Sequence, residues 1–153
     1  MHLSRLALAI ATMASLLAAP ASAETIDGAY RGSYVCEKTQ ATKNILRVPL
    51  DLVVNGTDVR FGRPLFNLQG TRVTGTEMAS GTIDAAGKTH LNSEYAVLGF
   101  AVRGTYDGTI GAHGGTLTGT QSWQWPNGSP GSRTCVAAFV PAPRAQRPAP
   151  PEH

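Results

Sequence analysis

Catalysis and metal binding need side chains in combination, and this sequence offers few combinations. Its histidines, His2, His90, His113 and His153, form no HxH or HExxH spacing, and Cys36 and Cys135 are its two cysteines. A thiolate-built metal site draws on more ligands close in sequence. No metal and no cofactor is therefore expected. No Gly-x-Ser-x-Gly elbow presents a serine nucleophile. The carboxylates Asp27, Glu37, Asp51, Asp58, Glu77, Asp84, Glu94 and Asp107 are dispersed along the chain. A glycosidase-type acid pair is defined in space rather than by spacing, so a hydrolase stays as the weaker alternative to a non-enzymatic protein. No catalytic residue stands out.

Binding chemistry is better represented. Trp123 and Trp125 flank Gln124 and share one side of a strand-like segment; indoles supply large rigid contact area for a ligand or a partner. Tyr30, Tyr34, Phe100 and Tyr106 share the apolar parity of their segments. With the tryptophans they are the candidate lining of an interior site for a small apolar or aromatic molecule. A second group sits in polar loops: Lys38 and Lys43 in the stretch 37–44, and Asn127 and Arg133 around the Pro/Gly-rich stretch 126–131. These are candidates for contact with a protein partner, since anchored loops carry recognition on small scaffolds.

Compartment follows from the N-terminus and the cysteines. Residues 1–5 carry one positive charge, residues 6–19 are apolar, and Ala21-Ser22-Ala23 offers the small residues that a signal peptidase accepts. The apolar stretch is shorter than the roughly 20 residues that span a bilayer. Residues 1–23 thus read as a cleaved Sec-type signal peptide. The residue directly after the cleavage point is Glu24 and not cysteine, so a lipid anchor is not expected, and the protein is placed in the periplasm or outside the cell. Two cysteines in an oxidising compartment predict one disulfide. Closing a loop of this length contributes roughly 4.7 kcal/mol in the chain-entropy model. The net charge of the whole chain is +3 and its basic residues are scattered, so nucleic acid, which needs a concentrated positive footprint, is not an expected partner.

The elements that must position these residues are strands. Leu46, Val48, Leu50, Leu52 and Val54 alternate with mostly polar neighbours, which is the period of a half-buried strand. Asn55-Gly56 follows as a hairpin pair, with Val59 and Phe61 on the returning strand. Pro49 cannot donate to a ladder and belongs on an unpaired side or at a bulge. Further strands are read at residues 28–36, 71–84, 88–94, 98–110, 116–125 and 132–140. Residues 81–89 and 108–116 match at six of nine positions and suggest repeated hairpins. About eight strands in hairpin order predict a small antiparallel up-and-down barrel, with a β-sandwich as the alternative. The cysteines favour the barrel. They fall in the first and last strands, which become neighbours when a meander closes on itself.

One domain, residues 24–140, is therefore expected, followed by a Pro/Ala-rich extended tail at 141–153. A membrane barrel would show apolar outer bands and aromatic girdles; with aromatics at 7% and Arg and Asp on the polar strand faces, no membrane insertion is expected.

In architecture the chain resembles the calycin group, lipocalins and avidins among them, which implies a barrel with an interior ligand site. Tyr34-Val35-Cys36 also resembles the opening of the bacterial inhibitors of C-type lysozyme. Their Ser-Gly-x-x-Tyr motif would fall on Ser80-Gly81-Thr82-Ile83-Asp84, with Asp84 where the motif has tyrosine. The expected function is non-enzymatic binding of a small molecule; the alternative is a protein-binding module or an inhibitor of a lysozyme- or protease-type hydrolase acting through its loops.

Overall fold

A computed structural model describes residues 25–39, 44–67, 71–97 and 99–143. The signal-peptide stretch, Lys43 and residues 144–153 lie outside them. Eight antiparallel strands follow one another: β1 (Gly28–Cys36), β2 (Leu46–Asn55), β3 (Asp58–Phe66), β4 (Val73–Ile83), β5 (Lys88–Val97), β6 (Phe100–Gly111), β7 (Gly114–Gln124) and β8 (Pro130–Pro141). Each pairs with the next, and β1 pairs with β8, closing the barrel. The β1–β8 pairing removes the free edges of the first and last strands, which would otherwise recruit other chains. Cys36 and Cys135 lie directly opposite each other in the β1–β8 ladder, their Cα atoms 4.0 Å apart, and are joined by a disulfide.

The strands alternate as the period-two pattern requires. In β2, Val48, Leu50, Leu52 and Val54 are buried while the residues between them are exposed. Tyr30, Val59, Phe61, Leu91, Ile110, Leu117, Ala137 and Phe139 join them in the core. The two ends of the barrel differ. At one end lie three tight connections, Asn55 to Asp58, Ile83 to Lys88 and Gly111 to Gly114. The other end, here called the mouth, carries the connections after β1, β3, β5 and β7.

Three boundaries depart from the sequence reading. The centre of the β2–β3 turn is Gly56-Thr57, not Asn55-Gly56; Asn55 ends β2 and pairs with Asp58, and Gly56 takes the positive φ of 60°. β5 runs on to Val97 rather than ending at Glu94, and β6 begins at Phe100, because Gly99 at φ 85° makes the turn. At the C-terminal end, Pro141 still pairs with Tyr30, and the Ala142 N–H donates to the Ala29 carbonyl at 2.8 Å.

The ladder is not uniform. β2 and β3 pair only from Asn55↔Asp58 to Asp51↔Gly62, and β4 and β5 only from Ile83↔Thr89 to Ala79↔Ser93. Beyond those points the mouth half of the β3–β4 hairpin pairs only with itself, from Arg63↔Glu77 to Phe66↔Val73. The first parting has a covalent reason. Hydrogen-bonded and non-bonded pairs alternate in an antiparallel ladder. Counting from the pair that closes the two-residue turn, Asn55 with Asp58, the next bonded pair after Asp51↔Gly62 would be Pro49 with Pro64. Neither has an N–H to give. Both prolines keep their places opposite Ser33 and Thr76 on their other sides. Two prolines facing each other unzip the seam.

Candidate functional site

The freed hairpin is held to the barrel by side chains. At the parting of β2 and β3, the inward parity that buries Val59 and Phe61 also turns Arg63 inward; the same parity in β4 turns Glu77 inward. Both are buried, and their guanidinium and carboxylate meet at 2.6 Å. Glu77 Oε1 accepts from Ser93 Oγ and Tyr106 Oη, each at 2.6 Å, and Oε2 accepts from Gln121 Nε2 at 3.0 Å. With its proton given to Glu77, the Tyr106 hydroxyl accepts from Gln121 Nε2 at 3.1 Å. The 2.8 Å contact between Tyr34 and Tyr106 then has Tyr34 as its donor. Gly119 makes room for this: a Cβ there would fall 2.1 Å from the Tyr106 ring.

Arg63 reaches further. Its guanidinium stacks over the Tyr34 ring at 4.6 Å, and Nη2 donates to the Tyr95 hydroxyl at 3.1 Å. Arg133, half-buried on β8, donates from Nε to Gln121 Oε1 at 2.8 Å and also faces the Tyr95 hydroxyl. Burial pushes the phenols of Tyr34, Tyr106 and Tyr95 upward, and the Glu77 carboxylate adds to it. For Tyr95, Arg63 and Arg133 pull partly the other way. Burial alone would lower the Arg63 pKa, but Glu77 and the surrounding phenols outweigh it and the net shift is upward. The cluster brings together two guanidiniums, Arg63 and Arg133, and one carboxylate, Glu77. Arg63 Nε is buried without a hydrogen-bond partner among the described residues.

Where β4 and β5 part, a groove of about 520 Å³ opens. Leu65, Phe66 and Val97 give it an apolar wall, Thr74 and Thr76 line its β4 side, and Arg72 stands at its rim. Tyr95 belongs both to the groove and to the charged cluster, so it joins the two.

The six aromatic candidates fall in three places. Tyr30 lies near the tight-turn end, edge-on to Phe139 at 5.8 Å. Tyr34 and Tyr106, with Phe61 between them, meet across the middle of the barrel and are fully buried. Phe100, Trp123 and Trp125 meet at the mouth, Phe100 tilted against Trp125 with centroids 5.5 Å apart and Trp123 edge-on to Trp125 at 5.6 Å. Trp123 Nε1 is buried without a partner among the described residues. Of the loop candidates, Lys38 and Asn127 are exposed and Arg133 is on a strand, half-buried and inward. The loop after β7 is braced by its own bonds, Trp125 N to Ser129 O and Gly128 N to Trp125 O, each at 2.8 Å. His90 lies on the outer face, bonded to Asp107 at 2.7 Å.

Sequence reasoning does not single out Arg63, Glu77, Ser93, Tyr95 and Gln121. Parity holds the signal for four of them: each is an even number of positions from an apolar inward residue on its strand. Tyr95 escapes because the pattern alone ends its strand one residue earlier.

No protein-family model, curated protein or solved structure matches the chain.

Proposed function

We propose that this is an exported, non-enzymatic binding barrel that takes a small molecule at its mouth, in the groove between β4 and β5. The observation that carries this reading is the groove itself. Its volume lies within the roughly 300–1,000 Å³ of ligand sites, and it combines apolar walls with a few polar groups. The calycin-type interior site is the weaker position for a ligand, because the rings of Tyr34, Phe61 and Tyr106 and the Arg63–Glu77 cluster occupy the middle of the lumen. Export rests on the N-terminal sequence and agrees with the disulfide. The outer face supports a barrel outside the bilayer: it carries Arg31 with Asp51, His90 with Asp107 and Arg103 with Glu94 on its strands. An arginine facing lipid at mid-membrane costs about 2–4 kcal/mol. No cofactor and no nucleic acid enters this reading.

The test is native mass spectrometry of the mature protein from its own host, beside the Gly75→Leu variant. Gly75 lines the groove, and among the described residues a Cβ at that position would meet only Leu65 Cδ1, at 3.7 Å, so a leucine enters the groove there without its Cβ striking the backbone. An extra mass that is lost on denaturation and absent from Gly75→Leu is the expected result. Bare protein in both samples would turn the search to the second reading. That reading is a protein-binding module or hydrolase inhibitor using the braced loop at 125–129 with Lys38, favoured by the loop's internal bonds. Replacing the loop with Gly-Ser sequence would then abolish partner binding.

A further inference from the structure

We infer that the occupant of the groove is an anionic amphiphile, with its apolar body along Leu65, Phe66 and Val97 and its anionic group toward Tyr95, between Arg72 and Arg133. This rests on the groove being the binding site. Three observations point to the sign of the charge. Among the described residues the groove is lined by one cation, Arg72, and by no carboxylate. The cluster behind its Tyr95 wall carries two guanidiniums, Arg63 and Arg133, and one carboxylate, Glu77, which is already paired with Arg63 at 2.6 Å. Among the described residues no carboxylate forms an ion pair with Arg133. A half-buried guanidinium without a counter-ion is a site for one, since its planar fork suits carboxylate, sulfonate or phosphate oxygens. The threonines and Asn67 along the groove add neutral polar groups and no competing negative charge. A cationic ligand would meet repulsion from the rim and from behind the inner wall. A neutral one would leave Arg133 uncompensated.

The probes are two dyes of nearly the same shape, anionic 8-anilinonaphthalene-1-sulfonate and neutral N-phenyl-1-naphthylamine, titrated by fluorescence against wild type, Arg133→Gln, Arg72→Gln and Gly75→Leu. Near-ultraviolet circular dichroism reports the fold of each variant, and the exposed Arg72 supplies a variant whose folding is not at issue. The sulfonate should bind wild type at least about tenfold more tightly than the neutral dye, the scale of one charge-assisted hydrogen bond. Arg133→Gln should remove most of that preference and Arg72→Gln a smaller part, with the neutral dye unaffected by either. Gly75→Leu should abolish both. Equal binding of the two dyes, lost together in Gly75→Leu, would keep the groove and overturn the anionic ligand. Failure of both dyes to bind, or binding that survives Gly75→Leu, would overturn the groove and the inference with it.

Discussion

Glu77 is a buried carboxylate served by four donors, and Arg63 is the one that brings charge. Taking Arg63 away strands the anion, which is the costly way to break a buried pair. Arg63→Met should therefore lose about 3–5 kcal/mol in urea unfolding. Arg63→Met with Glu77→Gln should lose less than the single change, because the amide keeps the shape and removes the unpaired charge. A double variant no more stable than the single one would mean that Glu77 does not depend on Arg63. In the sequence these two residues look like ordinary surface charges on strands. What marks them is opposite charge at inward parity on two strands expected to be neighbours. The pairing distance and the hydroxyls around it depend on how the barrel is filled, which alternation does not encode.

At the scale of the element, the hairpin of β3 and β4 is two structures end to end. Its mouth half, next to its own turn, is free of backbone bonds to β2 and β5, so side chains alone secure it, and local opening there should need far less than global unfolding. Amides at 63–66 and 73–78 that face the partings should exchange faster in hydrogen-exchange mass spectrometry than those of β6 and β7, which pair over ten positions. Pro49→Thr with Pro64→Thr returns the two missing donors and should slow exchange on the β2 side. Unchanged exchange would mean that something other than the prolines keeps the seam open. Pro49 is legible as a misfit in a ladder from its chemistry alone. That it faces a second proline cannot be read until the turn is centred on Gly56-Thr57, since a shift of one residue changes which pairs are bonded.

Across the whole molecule, all four tyrosines are held with raised pKa values, burial being the largest cause for each. Unfolded phenols ionise near pH 10. Above that value the unfolded chain gives up protons that the folded barrel keeps, so it binds fewer, and stability falls as pH rises. The contribution is whole below about pH 10 and is lost progressively above it. Absorbance at 295 nm should show little phenolate near pH 10 in the native protein, and then a rise that coincides with loss of the β circular-dichroism signal. A full phenolate step in the folded protein would show that the tyrosines are not shielded. The closed barrel itself is readable in advance, from eight alternating segments and from two cysteines in the outermost strands; the groove is not, since it comes from ladders that stop short rather than from any residue type.

The disulfide also decides how the barrel answers to force. The outer ends of β1 and β8 lie side by side, so tension applied to Tyr30 and Pro141 loads one pair at a time rather than shearing the whole ladder. The strands would peel apart through the register that runs from Tyr30↔Pro141 to Cys36↔Cys135. There the tear meets a covalent bond and stops, with the rest of the wall still standing. Reduced, the same molecule has no such stop, and a pull on its ends would run on into the core.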